Sequence, residues 1–328
     1  MPPPYPETPA TRDQWIVSRR GERNALDSFR PYAFFVEHEP GCPLPNSERC
    51  SLSRVSVATI FLTNRECPWR CLMCDLWKNT LTETVPAGAI PSQIDYALER
   101  LAPPRQIKLY NSGSFFDERA IPVEDYPAIA QRVAAFERVI VECHPALIGA
   151  NCFRFKKLVP GRLEVAMGLE TVHPGILEKL NKRMTLDQFS AAAARLQENE
   201  IDLRAFILIK PPFMRGNETL YWAERSLDFA FDCGATVATL IPTRSGNGAM
   251  EELASLGEFS PPQLGVLEAA LTYGIHLRRG RVFADLWDLR RGLDCPQCFP
   301  ARVNRLQEMN LRQSVLDPIV CTHCGGSN

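Results

Sequence analysis

The sequence has no apolar run near the roughly 18 residues that a membrane span needs. A helical integral membrane protein is therefore not expected, and no membrane partner is assigned. The first residues, Met1-Pro2-Pro3-Pro4-Tyr5-Pro6, carry neither the basic flank nor the apolar stretch of a signal peptide. A cytoplasmic protein is expected, with residues 1–14 as a disordered tail. The chain also lacks an excess of either charge: 37 Lys and Arg face 38 Asp and Glu. Nucleic-acid binders typically show a basic domain or stripe. Here the basic groups are short pairs, Arg19-Arg20, Lys156-Lys157, Arg278-Arg279 and Arg290-Arg291, each read as a solvated surface pair. Beyond the tail there is no short internal repeat and no low-complexity tract. With 328 residues, the chain is long enough for one barrel domain with appendages.

Cysteine is not scarce. There are twelve, and in a reducing compartment they are metal ligands or free thiols before they are disulfides. Three of them, Cys67, Cys71 and Cys74, stand in C-x3-C-x2-C spacing. Three thiolates this close cannot all pair in one disulfide. They can hold three corners of a cubane 4Fe-4S cluster and leave one iron open for a substrate or cofactor. A structural zinc site or unrelated buried thiols are the alternatives. Context favours the cluster. The β-branched, apolar stretch Val55–Thr63 immediately precedes the cysteines and reads as a buried parallel strand delivering a loop to one end of a sheet. In β/α barrels that end carries the chemistry.

Further strand-like runs follow at Gln106–Asn111, Arg138–Cys143, Leu163–Gly168, Leu203–Ile209 and Ala235–Ile241, with helical patterns between them. Such alternation predicts βαβ units and a parallel sheet. With the first strand there are six repeats, an α/β partial (βα)6 barrel over residues 51–280. Residues 15–50 form an N-terminal extension with a short strand near 29–37 and two spare cysteines, Cys42 and Cys50. Residues 281–328 form a C-terminal cysteine-rich segment. It holds two C-x2-C knuckles, Cys295/Cys298 and Cys321/Cys324, separated by the stretch Phe299–Val320. Four thiolates in two knuckles predict a metal site, with tetrahedral zinc the default and an auxiliary iron–sulfur cluster the runner-up. His323 is a candidate replacement for one thiolate.

The cysteine loop, Cys67-Pro68-Trp69-Arg70-Cys71-Leu72-Met73-Cys74, resembles that of the radical S-adenosylmethionine (SAM) superfamily. Met73 departs mildly from the aromatic residue usual before the last cysteine. The resemblance implies an open six-stranded barrel. It also implies that SAM chelates the open iron and is reductively cleaved to a 5′-deoxyadenosyl radical, with electrons from a flavodoxin- or ferredoxin-like donor. Where the superfamily commonly has Gly-Gly-Glu, this chain has Asn111-Ser112-Gly113-Ser114. Ser112, Gly113 and Ser114 are therefore expected beside SAM. Glu142 and Glu170, at the ends of the third and fourth strands, are candidate acceptors from its ribose or amino group, and either is alternatively a structural acid. Lys182-Arg183 is a candidate partner of the SAM carboxylate. Ile207 is expected in the apolar edge for adenine, with Lys210 and Arg244 aimed at the same mouth.

Residues from about Arg30 to Cys298 resemble the elongator-like branch, and within it the archaeosine-forming radical SAM enzyme group. The matching segments include Arg30-Pro31-Tyr32-Ala33-Phe34, Ala58 through Pro68, Cys71 through Thr80, Tyr110 through Asp117, and Pro242-Thr243. This resemblance implies a lysine-adducted 7-deazaguanine in tRNA as substrate and a partner enzyme that attaches the lysine. A free deazaguanine-like molecule, a peptide or another small metabolite stays open as substrate, as does a non-catalytic iron–sulfur or zinc adaptor.

Overall fold

Crossover helices bury the outer faces of parallel strands, so those faces become apolar. The computed structural model, which describes residues 5–41, 54–289, 292 and 294–324, is built this way. Eight strands hydrogen-bond in chain order: β1 (Ala33–Pro40), β2 (Arg54–Phe61), β3 (Gln106–Tyr110), β4 (Arg138–Glu142), β5 (Arg162–Glu170), β6 (Asp202–Ile209), β7 (Val237–Pro242) and β8 (Arg281–Ala284). β1 runs antiparallel to β2, and β2 through β8 are all parallel. The sheet curls into a half-barrel in a mixed α/β fold.

The six strands expected from the sequence are β2 to β7. β8 adds a seventh parallel strand, pairing from Val237↔Arg281 to Leu240↔Ala284, within the stretch read as C-terminal segment. Its four residues are too few to declare a strand by alternation. β1 lies further along the chain than the 29–37 stretch suggested and zips along the whole of β2, from Ala33↔Phe61 to Pro40↔Arg54. A second correction concerns the tail. Residues Pro9–Val17 form a helix, capped by the Thr8 hydroxyl and buried through Trp15 and Ile16. Its ordering comes from tertiary contacts: Arg12 reaches the Glu178 carbonyl (3.0 Å), and the Tyr5 hydroxyl donates to the Lys179 carbonyl (2.8 Å). Composition alone does not reveal such partners. Cys42, Cys50, Arg290 and Arg291 lie outside the described residues.

Helices cover the outer face where their apolar stripe demands it. Leu186–Glu198 starts with a capping box between Thr185 and Gln188 and buries Phe189, Ala192, Ala193 and Leu196, a one-sided spacing. The inner face is different. At the end of the barrel away from the cysteine loop it is filled by charge. Arg204 donates to Glu164 (2.6 Å) and Glu39 (3.1 Å), Lys108 pairs with Glu39 (2.6 Å), and Arg138 pairs with Glu164 (2.9 Å). Burial alone would raise the Glu39 carboxyl. Arg204, Lys108 and Arg281 override it and hold the group well below the ordinary carboxylate range.

The two sheet edges approach each other, with Arg281 on β8 within 3.4 Å of Glu39 on β1. The helix Phe299–Arg312 packs on both strands. Its Asn310 side chain and the following Gln313 stand in for a neighbouring strand. Asn310 accepts from Ala284 N and donates to Ala284 O, both at 2.8 Å, and Gln313 does the same for Val282 at 2.8 and 2.9 Å. The open edge of β8 is thereby satisfied.

Candidate functional site

β2 delivers the cysteine loop to the C-terminal end of the parallel strands, and three neighbouring segments hold it there. Glu66 binds Arg20 (2.7 Å), Arg23 and Arg70 (3.1 Å). Leu72 N donates to Leu180 O (2.9 Å). The Asn247 side chain donates to Leu72 O (2.7 Å) and Cys74 O (3.2 Å). Asn181 donates to Arg70 O and to Asp13, each at 2.8 Å. Cys67, Cys71 and Cys74 line one cavity of about 260 Å³. Burial pushes all three thiols up to about 12, so a metal bound there must displace their protons.

The same cavity gathers Ser112, Gly113, Ser114, Glu142, Glu170 and Lys182. Gly113 passes so close to Cys67 that a Cβ on it would lie 3.2 Å from the cysteine's own. Glu142 turns one oxygen to the loop backbone, accepting from Asn111 N (2.6 Å) and Gly113 N (3.3 Å). Burial raises its carboxyl against the lowering effect of those N–H groups. It thus organises the loop after β3 while facing the cavity. Glu170 sits at a bulge in β5 with φ +66°. It accepts from Lys182 Nζ at 2.6 Å. A Cβ on Gly168 would fall 2.0 Å from the Glu170 Oε1 and 2.2 Å from the Lys182 Nζ, so the glycine makes room for the pair. Burial alone would lower the Lys182 ammonium, but Glu170 and Cys71 raise it.

Ile207 is not part of this group. It is fully buried in the core between sheet and helices, while Phe206 and Leu208 line the cavity. Strand side chains alternate faces, so reading the position one residue off moves it to the wrong side. Lys210 turns away to the Ser260 hydroxyl (2.6 Å), and Arg183 pairs with Asp13. Arg244 does line the cavity. Two residues that the sequence reading did not single out also line it. The Trp69 ring stacks on His144, centroids 3.7 Å apart and 11° from parallel. His144 Nε2 lies 3.0 Å from the Lys182 carbonyl. Burial and then the Lys182 charge push the imidazole down to about 3, so it is neutral at ordinary pH. Trp69 between two of the cysteines was a readable signal, whereas His144 needed the fold.

Chemically, the cavity offers three soft thiols on one wall, suited to iron–sulfur ligation. Beside them the Glu170–Lys182 pair presents an anion and a cation, the complement of an α-amino acid's ammonium and carboxylate. The facing wall is apolar, from Ala166, Leu208 and Ile241, and includes the buried Thr243, whose hydroxyl has no partner.

The C-terminal knuckles also converge. Cys295, Cys298, Cys321 and Cys324 place their sulfurs within 4.8 Å of one another, without His323. Cys298 and Cys324 are 4.0 Å apart. A tetrahedron with metal–sulfur bonds of about 2.3 Å has edges of about 3.8 Å, so one ion fits among the four thiols.

No protein-family model matches the chain. It is 24% identical over 241 residues to archaeosine synthase subunit beta of Methanosarcina acetivorans, covering 69% of each chain. It is 27% identical over 222 residues to an uncharacterized protein of Methanocaldococcus jannaschii, covering 63% of this chain and 61% of that one. The chain thus spans less than two thirds of the latter's length. Among solved structures, Elp3 of Methanocaldococcus infernus matches with a TM-score of 0.49 and 15% identity, over 70% of this chain and 56% of that one. A radical S-adenosylmethionine methyltransferase of Kitasatospora setae also matches, with a TM-score of 0.43 and 16% identity over 59% of this chain and 36% of that one, as does the radical SAM coproporphyrinogen III oxidase of Escherichia coli, with a TM-score of 0.44 and 10% identity over 67% of this chain and 52% of that one. No helix among the described residues is long and apolar enough to cross a membrane.

Proposed function

We propose that this chain is a radical SAM enzyme. One observation carries the reading: the C-x3-C-x2-C thiols and the buried Glu170–Lys182 pair line a single cavity at the C-terminal ends of parallel strands. Cys67, Cys71 and Cys74 would hold the 4Fe-4S cluster. When bound, the cluster and SAM supply a 5′-deoxyadenosyl radical for hydrogen abstraction. The protein's own residues do the positioning. Glu170 accepts from the SAM ammonium and Lys182 donates to its carboxylate. Ser112, Gly113 and Ser114 bring backbone and hydroxyls close to the same groups. Leu208, Ile241 and Ala166 exclude water around the adenosine.

The substrate reading is a lysine-modified 7-deazaguanine in tRNA or a related nucleobase. It is supported by the likeness to archaeosine synthase subunit beta, whose name also favours a partner subunit that would share the tRNA contacts with this near-neutral chain. At the C-terminal knuckles we propose zinc, because four thiols within 4.8 Å suit a single tetrahedral ion better than a cluster with its irons spread apart. A flavodoxin- or ferredoxin-like protein in the cytoplasm would supply electrons.

The test is anaerobic reconstitution with iron and sulfide, followed by SAM and dithionite. Formation of 5′-deoxyadenosine is the expected result. Deuterium transfer from labelled candidate tRNA or deazaguanine substrates then identifies the target, and no 5′-deoxyadenosine with any of them defeats the reading.

A further inference from the structure

An aromatic surface leads out of the cavity, running from β6 across β3 and β2 to β1. It begins at Phe206, which lines the cavity, and continues through Tyr110 (ring centroids 6.2 Å apart), Phe61 (6.0 Å) and Phe35 (6.0 Å). It ends on Trp287, stacked on Phe35 at 5.4 Å and 13°. The first four rings are half-buried, whereas Trp287 is 59% exposed. A large exposed tryptophan ending a run of rings that enters a cavity is a stacking platform more than a packing element.

A polar group stands beside that platform. Asp285 directly follows β8, its N–H bonded to Leu240 O at 2.8 Å. Its Oδ1 accepts the Trp287 N–H at 2.9 Å. Among the described residues its Oδ2 has only a long contact, 3.5 Å, to Arg244 Nη2. Arg244 lines the cavity and spends its better bond on Trp287 O, at 2.5 Å. The Asp285 side chain remains 22% exposed. A carboxylate with a weakly engaged oxygen beside a flat apolar face accepts best from parallel N–H groups on the edge of a planar ring.

We infer that Trp287 and Asp285 are the specificity-determining residues of the substrate side of this cavity: Trp287 stacks a planar heterocycle while Asp285 accepts paired N–H groups of a guanine-type edge, displacing Arg244. The inference rests on the radical SAM reading for the position of the reaction, and it adds residues and a recognition chemistry to that reading. It also explains an asymmetry of the mouth. The Glu170–Lys182 side complements an amino acid, and the Trp287 side complements a ring. An adenine-type edge offers one amino group and a ring acceptor, and the acceptor would face the carboxylate unfavourably.

Binding of guanosine and adenosine to the reconstituted protein, in the presence of saturating SAM, tests it. Wild-type protein should bind guanosine at least about fivefold more tightly than adenosine. Trp287→Ala should weaken both nucleosides about tenfold, and Trp287→Phe should retain most of the affinity. Asp285→Asn should weaken guanosine about tenfold and abolish the preference. Equal or undetectable binding of the two nucleosides by the wild type overturns the inference, as does unchanged guanosine affinity in Trp287→Ala or Asp285→Asn. Failure of the radical SAM reading appears elsewhere, as wild-type protein that makes no 5′-deoxyadenosine.

Discussion

The chain has two groups of clustered cysteines, and they are built in opposite ways. Cys67, Cys71 and Cys74 come from one loop, so proximity is guaranteed by the chain, but their surroundings come from everywhere else: β3 through β7, the N-terminal helix and Asn247. Cys295, Cys298, Cys321 and Cys324 come from two distant knuckles, so their proximity is a product of folding. Their surroundings are sparse, and Cys324 is exposed. The first group opens on a cavity with a charged pair, an aromatic stack and apolar walls. The second closes on itself within 4.8 Å. An open site with spare room suits a reacting cofactor, and a closed site suits a structural ion. What separates the two is therefore the volume the fold leaves beside the sulfurs.

The largest effect that would break this comparison comes from replacing Cys67, Cys71 and Cys74 together by Ala. Visible absorption after reconstitution and all SAM cleavage should vanish while zinc, measured by elemental analysis, stays at one per chain. Replacing Cys321 and Cys324 by Ser should do the reverse. Zinc is lost, the visible absorption persists, and the thermal midpoint drops because the helix Phe299–Arg312 loses the anchor at its Cys298 N-cap. Extra iron and sulfide in the wild type in place of zinc would make the two groups alike and end the contrast.

Gly168→Ala sharpens the comparison inside the first site. Its Cβ would collide with both members of the Glu170–Lys182 pair. SAM affinity, followed by equilibrium dialysis, should fall by about tenfold or more, with the cluster absorption intact. Unchanged affinity would remove the pair from the proposed SAM contacts. The smallest effect is pH dependence. His144 is held neutral in the folded protein down to about 3, against an ordinary value of 6.5. The unfolded chain binds that proton first as pH falls, so the stabilisation is complete above 6.5 and drains away between 6.5 and about 3. The loss is on the order of 3 kcal/mol by about pH 4. Denaturant titrations of His144→Asn should show a shallower decline over that window, and an identical slope would show that the imidazole titrates freely.

Six of the seven parallel strands were legible because each is a run of apolar and β-branched residues between helical patterns. β8 was not, since Arg281–Ala284 is short and holds its place through register with β7 and the amides of Asn310 and Gln313. The cavity residues were legible wherever a strand end could be located, as with Ser112, Gly113, Glu142 and Glu170. The failure at Ile207 is instructive. The strand was placed correctly, but its two faces are both buried, so hydrophobicity carries no sign of which residues point inward. Nothing local marks His144, Asp285 or Trp287, which become neighbours of the site through the curl of the sheet.

Sequence by itself determined the ligand types and the alternation of elements. Cysteine spacing is covalent geometry, and apolar periodicity is a local preference, so both survive without a fold. Only the tertiary structure decided which side chains face inward, and that a charged plug fills one end of the barrel and a cavity the other. These depend on contacts between residues far apart in the chain, whose strength is set by burial and distance, and neither is written in any single stretch of sequence.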